Sequence, residues 1–311
     1  QEIHWDRKKI VIANLDIEVS AENGFPEPDT ASEYMTAITV KTDDNFVVFG
    51  CGDFKTDRKD IFYYKCRDEV DLLKRFIDFW EGLQPDIITG WNVNMFDIPY
   101  LVNRIKRVLG DDFAKRLSYW KIVSERKIFV MNRQVQTYKL YGTAILDYID
   151  LYKKFAPGGQ SQENYRLDTI CHEELKERKL SYAEYGNIHT LYLSNFQKYI
   201  EYNIRDVELV GKLDDKLKLI DLALTLAYDS KTNIDDVFMQ VRMWDSIVFN
   251  NMKKKNLVVP PAKSHTKSEA YDGAAVKPAM AGVHKWVASF DLNSLYPHLI
   301  MQYNISPDTI I

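Results

Sequence analysis

The chain has 311 residues, 46% of them apolar, with a net charge of −4 and an isoelectric point near 5.9. That is enough apolar material for a sizeable core in about two units, and it excludes a generally basic nucleic-acid coat, so any contact with a polyanion has to be local. No apolar run is long enough to span a bilayer, the first residues lack a signal-peptide shape, and Cys51, Cys66 and Cys171 form no C-x-x-C pair and read as reduced thiols of a cytosolic protein.

In chain order, Ile10 to Val19 is an apolar, β-prone run and predicts a buried first strand. Residues 20–33, with Gly24, Pro26 and Pro28, predict a loop. Thr36 to Lys41 and Phe46 to Phe49 predict two more strands of an antiparallel meander. Val70, Leu73, Phe76, Ile77 and Trp80 have helical spacing within Asp68 to Leu83. A short strand follows over Asp86 to Gly90. A helix over Asp97 to Leu109 carries Ile98, Leu101, Ile105 and Val108 on one face. Lys127 to Leu140 predicts a hairpin, and Ala144 to Asp147 a strand running into a helix that ends at Phe155, before the breaker Pro157-Gly158-Gly159. One long helix is predicted from Ser194 to Tyr228. Strands first, then strands alternating with helices, predict a mixed sheet with helices on both sides, the ribonuclease-H-like (DnaQ-like) α/β arrangement.

The character changes near Ser230. Val237, Val241, Trp244 and Val248 keep helical spacing for a while. Residues 252–286 then carry seven lysines against Glu269 and Asp272, a basic connector in an acidic chain. No internal repeat or low-complexity tract is present. The chain lacks an initiator Met and stops at Thr309-Ile310-Ile311, which reads as a piece of something longer.

Four carboxylates carry the chemistry. Asp16 and Glu18 in N-L-D-I-E-V are two apart on a strand and share a face. The flanking Val11, Ile12, Leu15, Ile17 and Val19 mark a core strand, where an unpaired acid is costly. Asp97 in W-N-V-N-M-F-D-I-P-Y opens a helix with Pro99 in its first turn, which also suits an N-cap. Phe96 beside it reads either as core or as a wedge against a terminal base. Tyr202 and Asp206 in Y-N-I-R-D are i and i+4, and Leu209 and Leu213 continue their line, so the face turns inward. Gathered together, four acids would repel unless two divalent cations, Mg²⁺ or Mn²⁺, cancelled them. That is the ground state of a two-metal phosphodiester-cleaving site. Tyr202, with an ordinary phenol pKa near 10, suits orienting the water better than deprotonating it. His172 and His189 lack metal-ligand spacing and are set aside.

D-x-E, N-x-x-x-F-D and Y-x-x-x-D, in that order, resemble the three proofreading motifs of family B DNA polymerases. Ser289-Phe290-Asp291-Leu292-Asn293-Ser294-Leu295-Tyr296-Pro297 is similar to that family's first palm motif, and Ala270-Tyr271-Asp272-Gly273-Ala274 resembles the Y-x-G-(G/A) element between exonuclease and palm. Leu146 to Phe155 and Asn304-Ile305-Ser306-Pro307 resemble the replicative polymerases of T-even-type phages.

The resemblance implies a 3′→5′ exonuclease domain over residues 1–228, a connector over 229–282 and the start of a palm over 283–311. It makes Asp16, Glu18, Asp97 and Asp206 metal ligands and Tyr202 the water-orienting group, and it places Lys179 near the scissile phosphate. It makes Asn92, Phe96, Tyr271 and Gly273 DNA-binding, with the 127–142 hairpin where strands part. Asp291 matches a palm metal ligand, and Leu292, Ser294, Leu295 and Tyr296 the nucleotide-binding run; His298 stands where the family usually has Ser. No Y-G-D-T-D type motif occurs, so polymerisation by this chain alone is not expected, and 287–311 are expected to be poorly packed. Implied partners are single-stranded and primer–template DNA, the remaining palm, fingers and thumb, and a sliding clamp; the implied compartment is a host-cell cytoplasm. Two other readings compete. One is a non-catalytic DNA-holding or assembly subunit of a split polymerase, which would gain nothing from four acids. The other is a free-standing ribonuclease-H-like nuclease, which would not need the palm motif.

Overall fold

A computed structural model describes residues 6–22, 24, 26–43, 45–130, 133–156, 162–258, 273–306 and 309. The predicted breaker at 157–159, Tyr271 and much of the basic connector lie outside them. The chain forms two compact units, residues 1–259 and 260–311.

The first unit is built on a six-stranded mixed sheet of order β4-β3-β2-β1-β5-β8. Its strands are β1 (Ile12–Val19), β2 (Met35–Thr42), β3 (Asn45–Gly50), β4 (Ile61–Lys65), β5 (Ile87–Thr89) and β8 (Ala144–Ile145). A separate hairpin pairs β6 (Val123–Val130) with β7 (Arg133–Leu140). β1–β2–β3 is the predicted antiparallel meander, and β5 and β8 join it in parallel on the other edge. β4, parallel to β3, is a strand the sequence reading did not mark.

Alternation along β1 decides the layout. Ala13, Leu15, Ile17 and Val19 enter the core shared with α1 (Glu69–Leu83) and α2 (Asp97–Leu109). Asn14 and Asp16 turn to the opposite face, where their side chains meet α7 (Phe196–Leu217). On α1 the buried stripe is Leu72, Leu73, Phe76, Ile77 and Trp80; Val70, predicted on that face, is exposed. A short helix α3 (Asp111–Lys115) follows α2. On the α7 side, Ala37 and Val48 of the sheet pack against Tyr199, Ile200 and Ile204. Helices α4 (Tyr148–Phe155), α5 (Leu167–Leu175), α6 (Ile188–Ser194) and α8 (Leu219–Ser230) belong to the same unit, with Leu151, Ile170, Leu209 and Leu224 in one cluster.

The long helix predicted from Ser194 to Tyr228 is two helices. Lys218 adopts φ +54 and ends α7, and Asp214 Oδ1 accepts from Ile220 N at 3.1 Å to start α8. The apolar spacing runs straight through the break, so periodicity alone had nothing to mark it. The helix predicted after Ser230 is present as α9 (Gln240–Lys254), but Val241 and Trp244 are exposed there. Among the described residues no helix is long and apolar enough to cross a membrane, and the three cysteines are free thiols.

In the second unit, α10 (Leu295–Gln302) follows Ser294 at φ +51. Phe290 is 94% exposed and Tyr296 69%, matching the expectation that this stretch lacks a core of its own.

Candidate active site

The site lies where β1 faces α7. One carboxylate oxygen from each of Asp16, Glu18 and Asp206 falls within 4.8 Å of the other two. The strand's period of two aims the first pair. The β1–β2 register shifts between Glu18 and Val19, so the strand is irregular where its second acid leaves it. Asp206 arrives on the inward stripe of α7, with Tyr202, Leu209 and Leu213 buried along it as the spacing predicts.

Asp97 is brought beside these three rather than into their cluster. It is the first residue of α2, and Phe96, which makes no side-chain cap bond, holds the N-cap position, so the N-cap reading of Asp97 does not hold. Its Oδ1 accepts from Ile17 N at 3.0 Å, which ties the helix start to β1 between the two strand acids. The loop before it turns at Gly90, φ +153, where a Cβ would sit 2.4 Å from the Leu15 carbonyl oxygen; only glycine fits.

Supporting hydrogen bonds hold the acids in place. Asn203, fully buried, donates from Nδ2 to Asp16 Oδ2 at 2.5 Å and accepts at Oδ1 from Thr39 Oγ1. Thr36 Oγ1 donates to the Glu18 carbonyl at 2.9 Å, so Tyr199, 2.5 Å away, must be the donor in its bond to Thr36. Asp147 accepts from the backbone of Asn92 and Asn94. Sequence reasoning missed Asn203, Tyr199 and Asp147. The available signals were Tyr199 and Asn203 at i and i+4 on the inward stripe of α7, and for Asp147 an acid between an apolar strand and a helix.

Burial and mutual repulsion make the cluster resist ionisation. Asp16 is held well above the usual carboxylate range by burial and then by the charges of Asp97, Asp206 and Glu18. Glu18 is pushed up to about 8 by burial and by Asp206. Burial lifts Asp97 to about 7, against the Ile17 N–H that favours its charged form. Asp206 is raised by burial, with Lys179 opposing. Lys179 Nζ lies 2.5 Å from Asp206 Oδ2 and 4.7 Å from the centroid of the Tyr202 ring. Burial disfavours its charge, but Asp206 outweighs that and the ammonium is held. Tyr202 packs edge-on against Tyr182, and its phenol is raised by burial and by Asp206, so it stays protonated.

The acids fit a divalent cation. Asp206 Oδ1 is buried with no hydrogen-bond partner, and one oxygen from each of Asp16, Glu18 and Asp206 converges with the other two. An all-oxygen donor set of this kind suits Mg²⁺ or Mn²⁺. A cleft of about 1000 Å³ opens from Asp16 and Asp206. Trp91, Asn92, Tyr165, Arg166, Arg178 and Tyr182 line it, so rings and cations flank the acids. Asn92 holds φ +68 at its edge. Phe96 is half-buried and stacks on Tyr100 at 5.7 Å between centroids, packed against the core. His172 sits on α5, and His189 Nδ1 lies 3.5 Å from Ser20 Oγ; neither joins the acids. In the second unit, Gly273, Asp291, Leu292, Ser294, Leu295 and Tyr296 are exposed.

A mixed sheet that gathers acids from its first strand and a crossing helix defines the class of carboxylate-centred nucleases built on a ribonuclease-H-like sheet. Residues 2–170 match the model of DNA polymerase family B, exonuclease domain, and residues 239–311 that of DNA polymerase family B. The chain belongs to that family. It is 41% identical, over 99% of its length, to the DNA-directed DNA polymerase of Escherichia phage RB69, and 37% identical, again over 99%, to that of Enterobacteria phage T4. The DNA polymerase delta catalytic subunit of Schizosaccharomyces pombe is 25% identical over 96% of the chain. The chain spans about 37% of the length of the two phage relatives.

Proposed function

We propose that residues 1–228 are a proofreading 3′→5′ exonuclease that releases 5′-mononucleotides from DNA ends. The observation that carries this is the convergence of Asp16, Glu18 and Asp206, with Asp206 Oδ1 buried and unpartnered. In this reading Asp16, Glu18 and Asp206 hold one Mg²⁺ or Mn²⁺, and Asp16 with Asp97 a second. When bound, such ions activate water and stabilise the leaving 3′ oxygen.

The residues of the chain do the rest. Lys179, anchored on Asp206, presents its ammonium to the scissile phosphate. Tyr202 keeps its proton and orients the water as a hydrogen-bond donor. Asn203 and Thr39 hold Asp16 in one orientation. Asn92, Phe96 and the rings of the cleft receive a single-stranded end. A mispaired end frays at lower cost than a paired one, and that difference supplies selectivity.

The wider assignments belong to the same reading. Residues 229–282 connect to a palm that begins at 283. There Asp291 serves as a metal ligand, Leu292, Ser294, Leu295 and Tyr296 contact nucleotide, and Tyr271 and Gly273 touch the primer–template backbone. The partners are DNA, the remaining palm, fingers and thumb, and a sliding clamp, in the cytoplasm of a phage-infected cell.

The test is direct. Single-stranded DNA labelled at its 3′ end, incubated with the chain and Mg²⁺, should yield labelled mononucleotide, and chelation should stop it. Full activity in Asp206→Ala would refute the site.

A further inference from the structure

We propose that Asp147 is a positioning residue of this site: by gripping the backbone of residues 92–94 it sets Asn92, Phe96 and Asp97 and ties them to the β6–β7 hairpin. The inference rests on the exonuclease reading above. Asp147 lies between β8 and α4 and is 2% exposed. Its Oδ1 accepts from Ile149 N at 3.2 Å, an ordinary N-cap bond. A cap needs no more. Yet Oδ1 also accepts from Asn92 N, and Oδ2 from Asn94 N, both at 2.9 Å. The second and third bonds leave the helix and hold an irregular loop.

That loop leads straight to the acids. Phe96 N donates to Asn92 O at 3.0 Å, Ile98 N to Val93 O at 2.9 Å, and Asp97 then accepts from Ile17 N. From the other side, Thr137 Oγ1 on β7 donates to Asn94 O at 2.7 Å. Asn94 is therefore held by the hairpin through its carbonyl and by Asp147 through its N–H. A shift of the loop moves Asp97 against Asp16, and a displacement of about 1 Å in a reacting constellation can cost about 100-fold.

Asp147→Asn is a sharp probe, because it keeps the shape and reverses half of the chemistry. Whichever way the amide turns, its NH₂ faces a backbone N–H, that of Asn94 in one orientation and those of Asn92 and Ile149 in the other, so one bond or two are lost and donors oppose each other. The full chain should be compared as wild type, Asp206→Ala, Asp147→Asn and Thr137→Val, at a temperature where circular dichroism shows each folded. For Asp147→Asn we expect kcat on single-stranded DNA to fall about 10–100-fold, as for other outer partners of metal ligands, with KM within about twofold. Mn²⁺ binding, followed by electron paramagnetic resonance, should weaken in parallel. Thr137→Val should move both readouts the same way by a few-fold. Lower thermal stability with unchanged kcat and Mn²⁺ affinity would make Asp147 a helix cap only and overturn the proposal. If Asp147→Asn does not fold, Thr137→Val decides, and no change in either readout overturns it. Should wild type be no more active than Asp206→Ala, the exonuclease reading fails instead, and Mn²⁺ binding alone judges the role of Asp147.

Discussion

Asp206 and Asp291 are both aspartates inside recognisable motifs, and the two units treat them in opposite ways. Asp206 is buried on α7 beside two other acids, with Lys179 on one oxygen and nothing on the other. Asp291 is exposed, as are Phe290, Leu292 and Tyr296 around it. A motif becomes a site only when other elements desolvate its polar groups and confront them with partners. In the first unit a strand, two helices and a loop do so; in the second, the described residues of 273–306 leave their motif in solvent.

The largest expected effect breaks or keeps that contrast directly. Asp206→Ala should lower nuclease activity by more than about 100-fold, since even outer partners of metal ligands are worth about 10–100-fold. Asp291→Ala should leave it within twofold. Equal losses in steady-state release of mononucleotide would erase the distinction between the units.

Stability gives the next contrast. Leu15→Ala opens a cavity in the core that β1 shares with α1 and α2, where the residue is fully buried, and should cost about 2–5 kcal/mol. Phe290→Ala should stay within about 0.5 kcal/mol. Urea unfolding followed by circular dichroism reads both.

Charge gives a third. Glu18 titrates near 8 and Asp97 near 7 in the folded chain, both above their unfolded values of about 4. The folded state therefore binds these protons more tightly, and the stability they contribute is present at about pH 4 and lost as pH rises through 7 to 8. In chelator, Tm should fall over that window, and Mg²⁺ should restore more of it at pH 8 than at pH 6. A flat profile in chelator would mean the acids are not crowded as described.

The smallest effect tests the helix break. Lys218 holds φ +54, so Lys218→Gly should stabilise by up to about 1 kcal/mol. A loss of stability would show that the α7–α8 corner depends on the lysine side chain.

Much of this was legible in the residues. The apolar frame around Asp16 and Glu18, the start of α2 at Asp97, and the leucine line continuing from Tyr202 and Asp206 each carried a period that the structure reproduces. β4 was overlooked, although its Ile-Phe-Tyr-Tyr-Lys run is β-prone. The α7–α8 break left no apolar signal, because both helices bury the same stripe across Lys218. Asn203 and Asp147 act through partners 187 and 55 positions away in Asp16 and Asn92, and no local pattern reports a partner at that distance.

By itself the sequence determined which acids face inward, because strand and helix periods are local steric facts. Only the tertiary structure decided that Asp16, Glu18 and Asp206 share one small volume while Asp97 stands beside them, bonded to Ile17. It also decided that Asn203 and Asp147 supply the missing hydrogen bonds. Such choices depend on how sheet and helices pack, and packing is settled by the whole core at once.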